Sequence, residues 1–329
     1  MKILLGVDGS IFSKAANQAV MEQARPQSDE VRVVHVVDIL TIRIPDGLAY
    51  YPGIEHSRDS QRRIAETLVA DAAKSLRSSG LLQVTTDIEW GNPKSKIIDN
   101  AAEWRADLIV LGSHGRTGLD RFLMGSVADA VMRHAHCSVE LVRILPGANG
   151  TKDSYRVPEG KFTRILLAID DSRFSEAAIR MVCEQLHSLG TKLRVLHVVE
   201  PPALLVAREM GGYDPTLEHV WEAQTREAED LVTKVAKKFC GTGLEVTTCV
   251  AQGDPKTKIL DEAQEWKADL IVIGSHGRAG VARFLMGSVS EAVAHHAHCS
   301  VEVVRSTSSI RLQEAAPRQP SSKKADCTA

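Results

Sequence analysis

Two stretches of this chain, LGSHGRTGLDRFLMGSVADAV from Leu111 and IGSHGRAGVARFLMGSVSEAV from Ile273, are near copies of one another. A constant offset of 162 positions carries Leu111 onto Ile273, Asp8 onto Asp170, His35 onto His197, Gly91 onto Gly253 and Trp104 onto Trp266. Register holds from the first strand to the last without a net insertion, so the two halves must share one fold. Identity is concentrated between Trp104 and Arg143 and the matching Trp266 to Arg305, while the middle sections, 38–83 and 200–245, have diverged. The length of 329 residues agrees, because domains run to roughly 100–200 residues. The pattern predicts one domain over 1–145 and a second over 162–305. Residues 146–161, rich in Gly, Pro and polar side chains, read as a linker, and 306–329, without apolar periodicity, as a disordered tail.

Within one unit, apolar runs at 3–7, 31–37, 84–88, 108–111 and 139–144 predict five strands. Helical stretches separate them: one carrying Ala15, Ala16, Ala19, Val20 and Ala24, a long one at 57–79, one at 93–104 and one starting near Gly125. Asn92-Pro93 and Asp254-Pro255 each fit an N-cap followed by proline at the first helical position. Strands alternating with helices give an α/β fold, and runs that lack strict alternation suit parallel strands buried on both faces. Such open sheets bind ligands at the carboxyl ends of strands where the order reverses. If strands one and four flank that point, Asp8 faces the Gly112 loop and Asp170 faces the Gly274 loop.

Composition narrows the function classes. A net charge of −2 gives no basic excess to attract nucleic acid. No apolar run approaches the roughly 18–20 residues of a membrane span, and MKILLGVDGS turns polar too soon for a signal peptide. The six cysteines form no C-x-x-C pair and read as reduced thiols of a cytoplasmic protein.

Chemistry concentrates in the repeated loop. Gly112 and Gly115 follow strand four directly, and Gly125-Ser126 opens the next helix. Closely spaced glycines let backbone N–H groups crowd an anion, and the helix N-terminus adds partial positive charge. Arg116 and Arg121 can add charge-assisted hydrogen bonds to phosphate. The loop is neither a Walker A loop nor G-x-G-x-x-G.

Both copies fit G-x2-G-x9-G-[ST] without a gap, and in this the chain resembles tandem members of the universal stress protein family of the ATP-binding type. The resemblance covers both repeats. It implies two Rossmann-like domains with strand order 3-2-1-4-5, binding ATP with Mg²⁺ or Mn²⁺ near the phosphates. Phosphate and ribose contacts would come from Gly112, Gly115, Arg116, Gly125, Ser126 and Val127 in the first copy. Gly274, Gly277, Arg278, Gly287, Ser288 and Val289 would supply them in the second. Asp8 and Asp170 match the family's acidic residue after strand one, and Val36 and Val198 match the position whose backbone recognises adenine. The resemblance also implies pairing of the last strands, either between the two repeats as an internal pseudo-dimer or between two chains. One departure is Cys-Ser-Val at Cys137 and Cys299 where the family often has Cys-Pro-Val, which bears on how strand five enters. Another is Gly6, which aligns with Ala168.

Several of these residues have plainer readings. Ser288-x-x-Glu291 has the form of a capping box, and Ser126-x-x-Asp129 a shorter one, so both serines can cap a helix instead of touching phosphate. Asp8 and Asp170 are equally good turn formers. Lys94, Lys96, Lys256 and Lys258 read as a solvated face, and Met124 and Met286 as core or interface contacts. His134, His136 and Cys137 recur as His296, His298 and Cys299, but side chains two apart at a helix end diverge, and histidines there suit the helix dipole. His114 and His276 lie within reach of a phosphate, without an evident nucleophile–base–orienter set. The leading reading is therefore a nucleotide-dependent stress-response protein rather than an efficient enzyme. A slow ATPase or nucleotidyl- or phosphoryl-transfer enzyme, and a scaffold with empty loops, are the alternatives.

Overall fold

The computed structural model describes residues 1–38, 52–115, 124–144, 162–185, 190–201, 215–277 and 286–306. The expected linker at 146–161 and the tail from 307 onward lie outside them, as do Arg116, Arg121 and Arg278.

The first repeat runs β1 (Lys2–Gly6), α1 (Ile11–Gln23), β2 (Glu30–Val37), α2 (Pro52–Ser78), β3 (Gln83–Trp90), α3 (Pro93–Trp104), β4 (Leu108–Gly112), α4 (Ser126–His134) and β5 (Ser138–Val142). The second runs β6 (Arg164–Ile169), α5 (Arg173–Glu184), β7 (Lys192–Val199), α6 (Pro215–Lys238), β8 (Glu245–Gln252), α7 (Pro255–Glu265), β9 (Leu270–Gly274), α8 (Ser288–His296) and β10 (Ser300–Val304). Helix starts follow local chemistry. Ser10 caps α1 through its hydroxyl, Asn92 caps α3 by accepting the Lys94 N–H at 2.9 Å, and Asp254 caps α7 by accepting the Thr257 N–H at 3.1 Å.

The strands form one sheet in the order β3-β2-β1-β4-β5-β10-β9-β6-β7-β8. Each half is therefore parallel with order 3-2-1-4-5, and the halves meet where β5 and β10 pair antiparallel, Val301 opposite Leu141, Glu302 opposite Glu140 and Val303 opposite Val139. The pairing of last strands is thus made within the chain, as an internal pseudo-dimer. Every residue of β5 and β10 is buried, whereas the outermost strands β3 and β8 expose their Thr-Thr pairs.

The two faces of the sheet differ. On one, Val139, Leu141, Val301 and Val303 join Val131 and Met132 of α4 and Val293 and Ala294 of α8 in a single core that crosses the seam. On the other, α1 and α2 cover the first half and α5 and α6 the second, as two separate cores. At about 1.5–3 kcal/mol for each large apolar side chain fully buried, the shared core is what holds the halves together.

Polar contacts fix the register. The Arg143 guanidinium donates to the Ala294 and His295 carbonyls at the end of α8, and Arg305 reciprocates on Met132 and Arg133 at the end of α4. The Ser300 hydroxyl accepts the Arg143 N–H at 3.1 Å, and the Ser138 hydroxyl accepts the Arg305 N–H at 3.2 Å. The serines that stand in place of proline thus stitch the seam. Their own N–H groups, which proline lacks, donate to the Asp107 and Asp269 carbonyls.

Candidate functional site

The two chain reversals at β1/β4 and β6/β9 each open a cavity at the carboxyl ends of the strands, as expected for an open parallel sheet. The first measures about 410 Å³ and the second about 520 Å³, within the usual range for small-molecule sites. Asp8, Val36, Gly112, Gly115, Gly125, Ser126 and Val127 all line the first. Asp170, Val198, Gly274, Gly277, Gly287, Ser288 and Val289 all line the second.

Asp8 serves two purposes. One carboxylate oxygen accepts the Ser10 N–H at 2.9 Å, closing the turn into α1. The other faces the glycine loop, so that a Cβ built at Gly115 would sit 3.0 Å from it. Asp170 repeats this, accepting from Ser172 N–H at 3.0 Å and from the Ser175 hydroxyl at 2.6 Å, with a Cβ at Gly277 falling 2.9 Å from its other oxygen. Turn former and cavity residue are therefore the same side chain.

The glycines divide the work. Gly112 is required by packing, since a Cβ there would lie 2.6 Å from the Phe12 carbonyl carbon and Cβ. We expect Gly112→Ala to lower stability by about 1–3 kcal/mol through overpacking against backbone, measured as a shift in the urea midpoint. Gly115 keeps the approach to Asp8 open. Gly125 closes the loop, its N–H donating to the Ser113 carbonyl at 2.8 Å, as Gly287 does to Ser275.

Contrary to the capping expectation, Ser126 and Ser288 do not cap their helices. Gly125 and Gly287 themselves occupy the N-cap positions of α4 and α8, with extended backbone and no side-chain cap bond. Their carbonyls accept from Asp129 and Glu291, which moves the helix start back by one residue. Ser126 and Ser288 are first-turn residues with exposed side chains. The first-turn amides of both helices thus meet the cavity without a side-chain cap, the arrangement that suits an anion.

The adenine-side expectation has a geometric basis in strand alternation. Val34 directs its carbonyl to the β1 side, where it accepts the Val7 N–H at 2.9 Å, whereas Val37 directs its carbonyl to Gly91 on the β3 side. Val36 shares the parity of Val34, so its N–H and C=O point past the end of β1 into the cavity. Val198 is placed likewise, with Val199 turned to Gly253.

Two histidines in each cavity wall complete the picture. His114 packs on Phe12 at a ring-centroid distance of 5.0 Å, and its Nδ1 lies 3.1 Å from the Ser113 hydroxyl; His276 does the same with Phe174 and Ser275. His35 and His197 were not singled out as site residues from sequence. Both are buried, and Nδ1 donates to the Val7 and Ile169 carbonyls, each at 2.7 Å, tying the end of the first strand to the second. The signal available was a histidine at the same place in both second strands, flanked on each side by apolar residues.

The two cavities are not identical. A Cβ at Gly6 would meet the Leu111 Cδ2 at 2.3 Å, and the second copy carries Ala168 with Ile273 instead. The exchange of Gly6 for Ala168 is thus coupled to a change of shape at the partner strand. Elsewhere, Lys96 pairs with Glu89 at 3.0 Å on the surface, and Met124 and Met286 pack against the shared core. Cys137 and Cys299 are core residues whose thiols burial pushes up to about 12, far from the thiolate that metal binding or reactivity needs. Among the described residues, no helix is long and apolar enough to cross a membrane.

Comparison with known proteins agrees with this architecture. The model of the universal stress protein family matches residues 1–143 and again 161–305. A universal stress protein of Mycobacterium tuberculosis strain H37Rv is 28% identical over 315 residues, covering 92% of this chain and 96% of that one. One of Mycolicibacterium smegmatis is 29% identical over 308 residues with the same coverage. In fold, the chain is similar to a universal stress protein from Archaeoglobus fulgidus (TM-score 0.58, 21% identity, 92% of this chain and 96% of that chain). A Pseudomonas aeruginosa structure gives TM-score 0.59 at 18% identity, over 95% and 96%. Two matches of the family model, one on each half of a sheet joined at its middle, make the chain a tandem member of the universal stress protein family.

Proposed function

We propose that each half binds an adenine nucleotide, ATP with Mg²⁺ or Mn²⁺, and that occupancy governs how this stress-response protein engages its partners in the cytoplasm. The observation that carries this reading is the convergence, in both cavities, of uncapped first-turn amides, a glycine loop and inward-pointing main-chain groups at Val36 or Val198. The amides suit phosphates. A backbone N–H beside a backbone C=O suits the adenine edge, which offers one acceptor and one donor. Asp8 and Asp170 fit a hard divalent cation, since each directs a carboxylate oxygen toward the loop where phosphates would lie. That ion, when bound, neutralises phosphate charge beside the carboxylate.

A regulator is favoured over a transfer enzyme by the burial of Ser113. Its hydroxyl meets His114 in a nucleophile-and-base manner, but the residue is 1% exposed and lies beneath the loop, off the cavity wall. The test is native mass spectrometry of gently purified protein, with and without added ATP and Mg²⁺. Adenine nucleotide retained on the chain is expected; a chain that stays bare at saturating ATP overturns the reading in favour of a scaffold. Turnover well above one product per site would instead revive the enzyme.

A further inference from the structure

At the centre of the seam, Glu302 lies directly opposite Glu140 in the antiparallel β5–β10 pair, and both side chains are completely buried. Side chains directly opposite on one face of such a pair have Cβ atoms about 4.5–5.5 Å apart, so the two glutamates stand side by side at the pseudo-twofold axis. They lie on the face away from the shared core, below the groove between α1 and α5. A cavity of about 610 Å³ occupies that groove.

Their partners are symmetric too. Gln23 of α1 donates its amide to Glu140 Oε1 at 3.1 Å, and Gln185, at the end of α5, donates to Glu302 Oε2 at 2.8 Å. One oxygen of each carboxyl is thereby satisfied. Among the described residues, Glu140 Oε2 and Glu302 Oε1 have no donor. A single proton placed between those two oxygens satisfies both at once and leaves one negative charge, which the two glutamine amides already face. Two ionised carboxylates side by side across the strand pair, removed from water, would repel without compensation.

No other described residue supplies that compensation. β4 and β9 present Leu108, Val110, Leu270 and Val272 to this face, all apolar. Arg25, Asp29, Asp107, Arg180, Glu184 and Arg305 line the groove above, and among the described residues none is bonded to either carboxyl. Arg143 and Arg305, at the strand ends, spend their guanidiniums on the carbonyls of α8 and α4.

We propose that Glu140 and Glu302 share one proton across the seam, making the junction between the two halves a proton-linked latch. Burial first, and for Glu140 the charge of Glu302 as well, push both carboxyls well above the usual carboxylate range. The sign follows directly. The native seam holds a proton that the unfolded chain, with carboxyls near pKa 4.3, releases. The stabilisation is complete below that value, falls as pH rises above it, and is gone once the native pair itself deprotonates in the neutral-to-alkaline range. In mild acid the halves are held most firmly, and in alkali a doubly charged pair sits in the seam.

The test compares urea unfolding of the full chain with that of the Glu140→Gln, Glu302→Gln double variant from weakly acidic to alkaline pH. For one proton bound only in the native state, the folding constant of the wild type should fall about tenfold per pH unit relative to the double variant. That difference should level off above the native titration. Infrared spectroscopy of the unmutated protein gives a readout that needs no variant: a protonated-carboxyl carbonyl band at neutral pH that disappears in alkali. Parallel pH profiles for the two proteins, or absence of that band at neutral pH, would overturn the proposal.

Discussion

Leu141→Asp is expected to destabilise the chain by about 4 kcal/mol or more, a large share of the roughly 5–15 kcal/mol of stability that a typical domain has. Leu141 is fully buried on β5, opposite Val301 of β10, in the core that α4 and α8 share across the seam. Two losses combine there. The apolar side chain leaves a site with no room to collapse, and a carboxylate enters surroundings formed by Val131, Met132, Val293 and Ala294, where a charge is either unpaired or must take up a proton at a cost. The seam lies at the middle of a single sheet, so the damage should register in both halves and not in the first alone. Urea unfolding followed by circular dichroism measures it. Leu82→Asp is the control, because Leu82 is 75% exposed and should change stability by no more than about 0.5 kcal/mol. A Leu141→Asp chain as stable as the control would mean that the halves do not depend on one another.

The second large effect concerns binding. Gly115→Val with Gly277→Val is expected to weaken ATP binding by roughly tenfold to a hundredfold per site, with much less effect on folding. The new Cβ atoms would approach the Asp8 and Asp170 carboxylates to 3.0 and 2.9 Å, and the further methyls extend toward the space where phosphates would lie. Displacing even one charge-assisted contact costs about 1.5–3 kcal/mol, which sets that range at 1.4 kcal/mol per tenfold. Gly112→Ala should do the opposite, disturbing stability before binding, because the added Cβ would run into Phe12, although Gly112 also lines the cavity. Nucleotide retention and urea midpoints, measured on both variants, separate the two roles.

Much of this was legible in the residues. Apolar runs without alternation marked the buried parallel strands, Asn92-Pro93 and Asp254-Pro255 marked helix starts, and the constant offset guaranteed that a cavity in one half recurred in the other. The direction of the last strands and their pairing came from family resemblance, because β5 and β10 carry no residue pattern that names a partner. What escaped was whatever depends on contacts distant in sequence. Glu140 and Glu302 look like two stray charges in apolar strands until the antiparallel register sets them side by side. The Ser138 and Ser300 hydroxyls looked like a departure that left strand entry open, and became seam contacts only once Arg305 and Arg143 arrived from the other half. At Gly112, which lines the cavity, nothing in the sequence hinted that Phe12, a hundred positions earlier in the chain, also approaches it closely. The misplaced helix cap has a local cause: Gly125 adopts the extended cap conformation itself, which shifted Ser126 by one position out of the capping role.

The central claim, two adenine-nucleotide sites in one chain, is tested most directly by calorimetric titration of the full-length protein with ATP in the presence of Mg²⁺. Saturation at two nucleotides per chain, lost in the Gly115→Val, Gly277→Val variant, is the predicted result. A titration without saturable heat at any nucleotide concentration, or one unchanged by that double substitution, would contradict it.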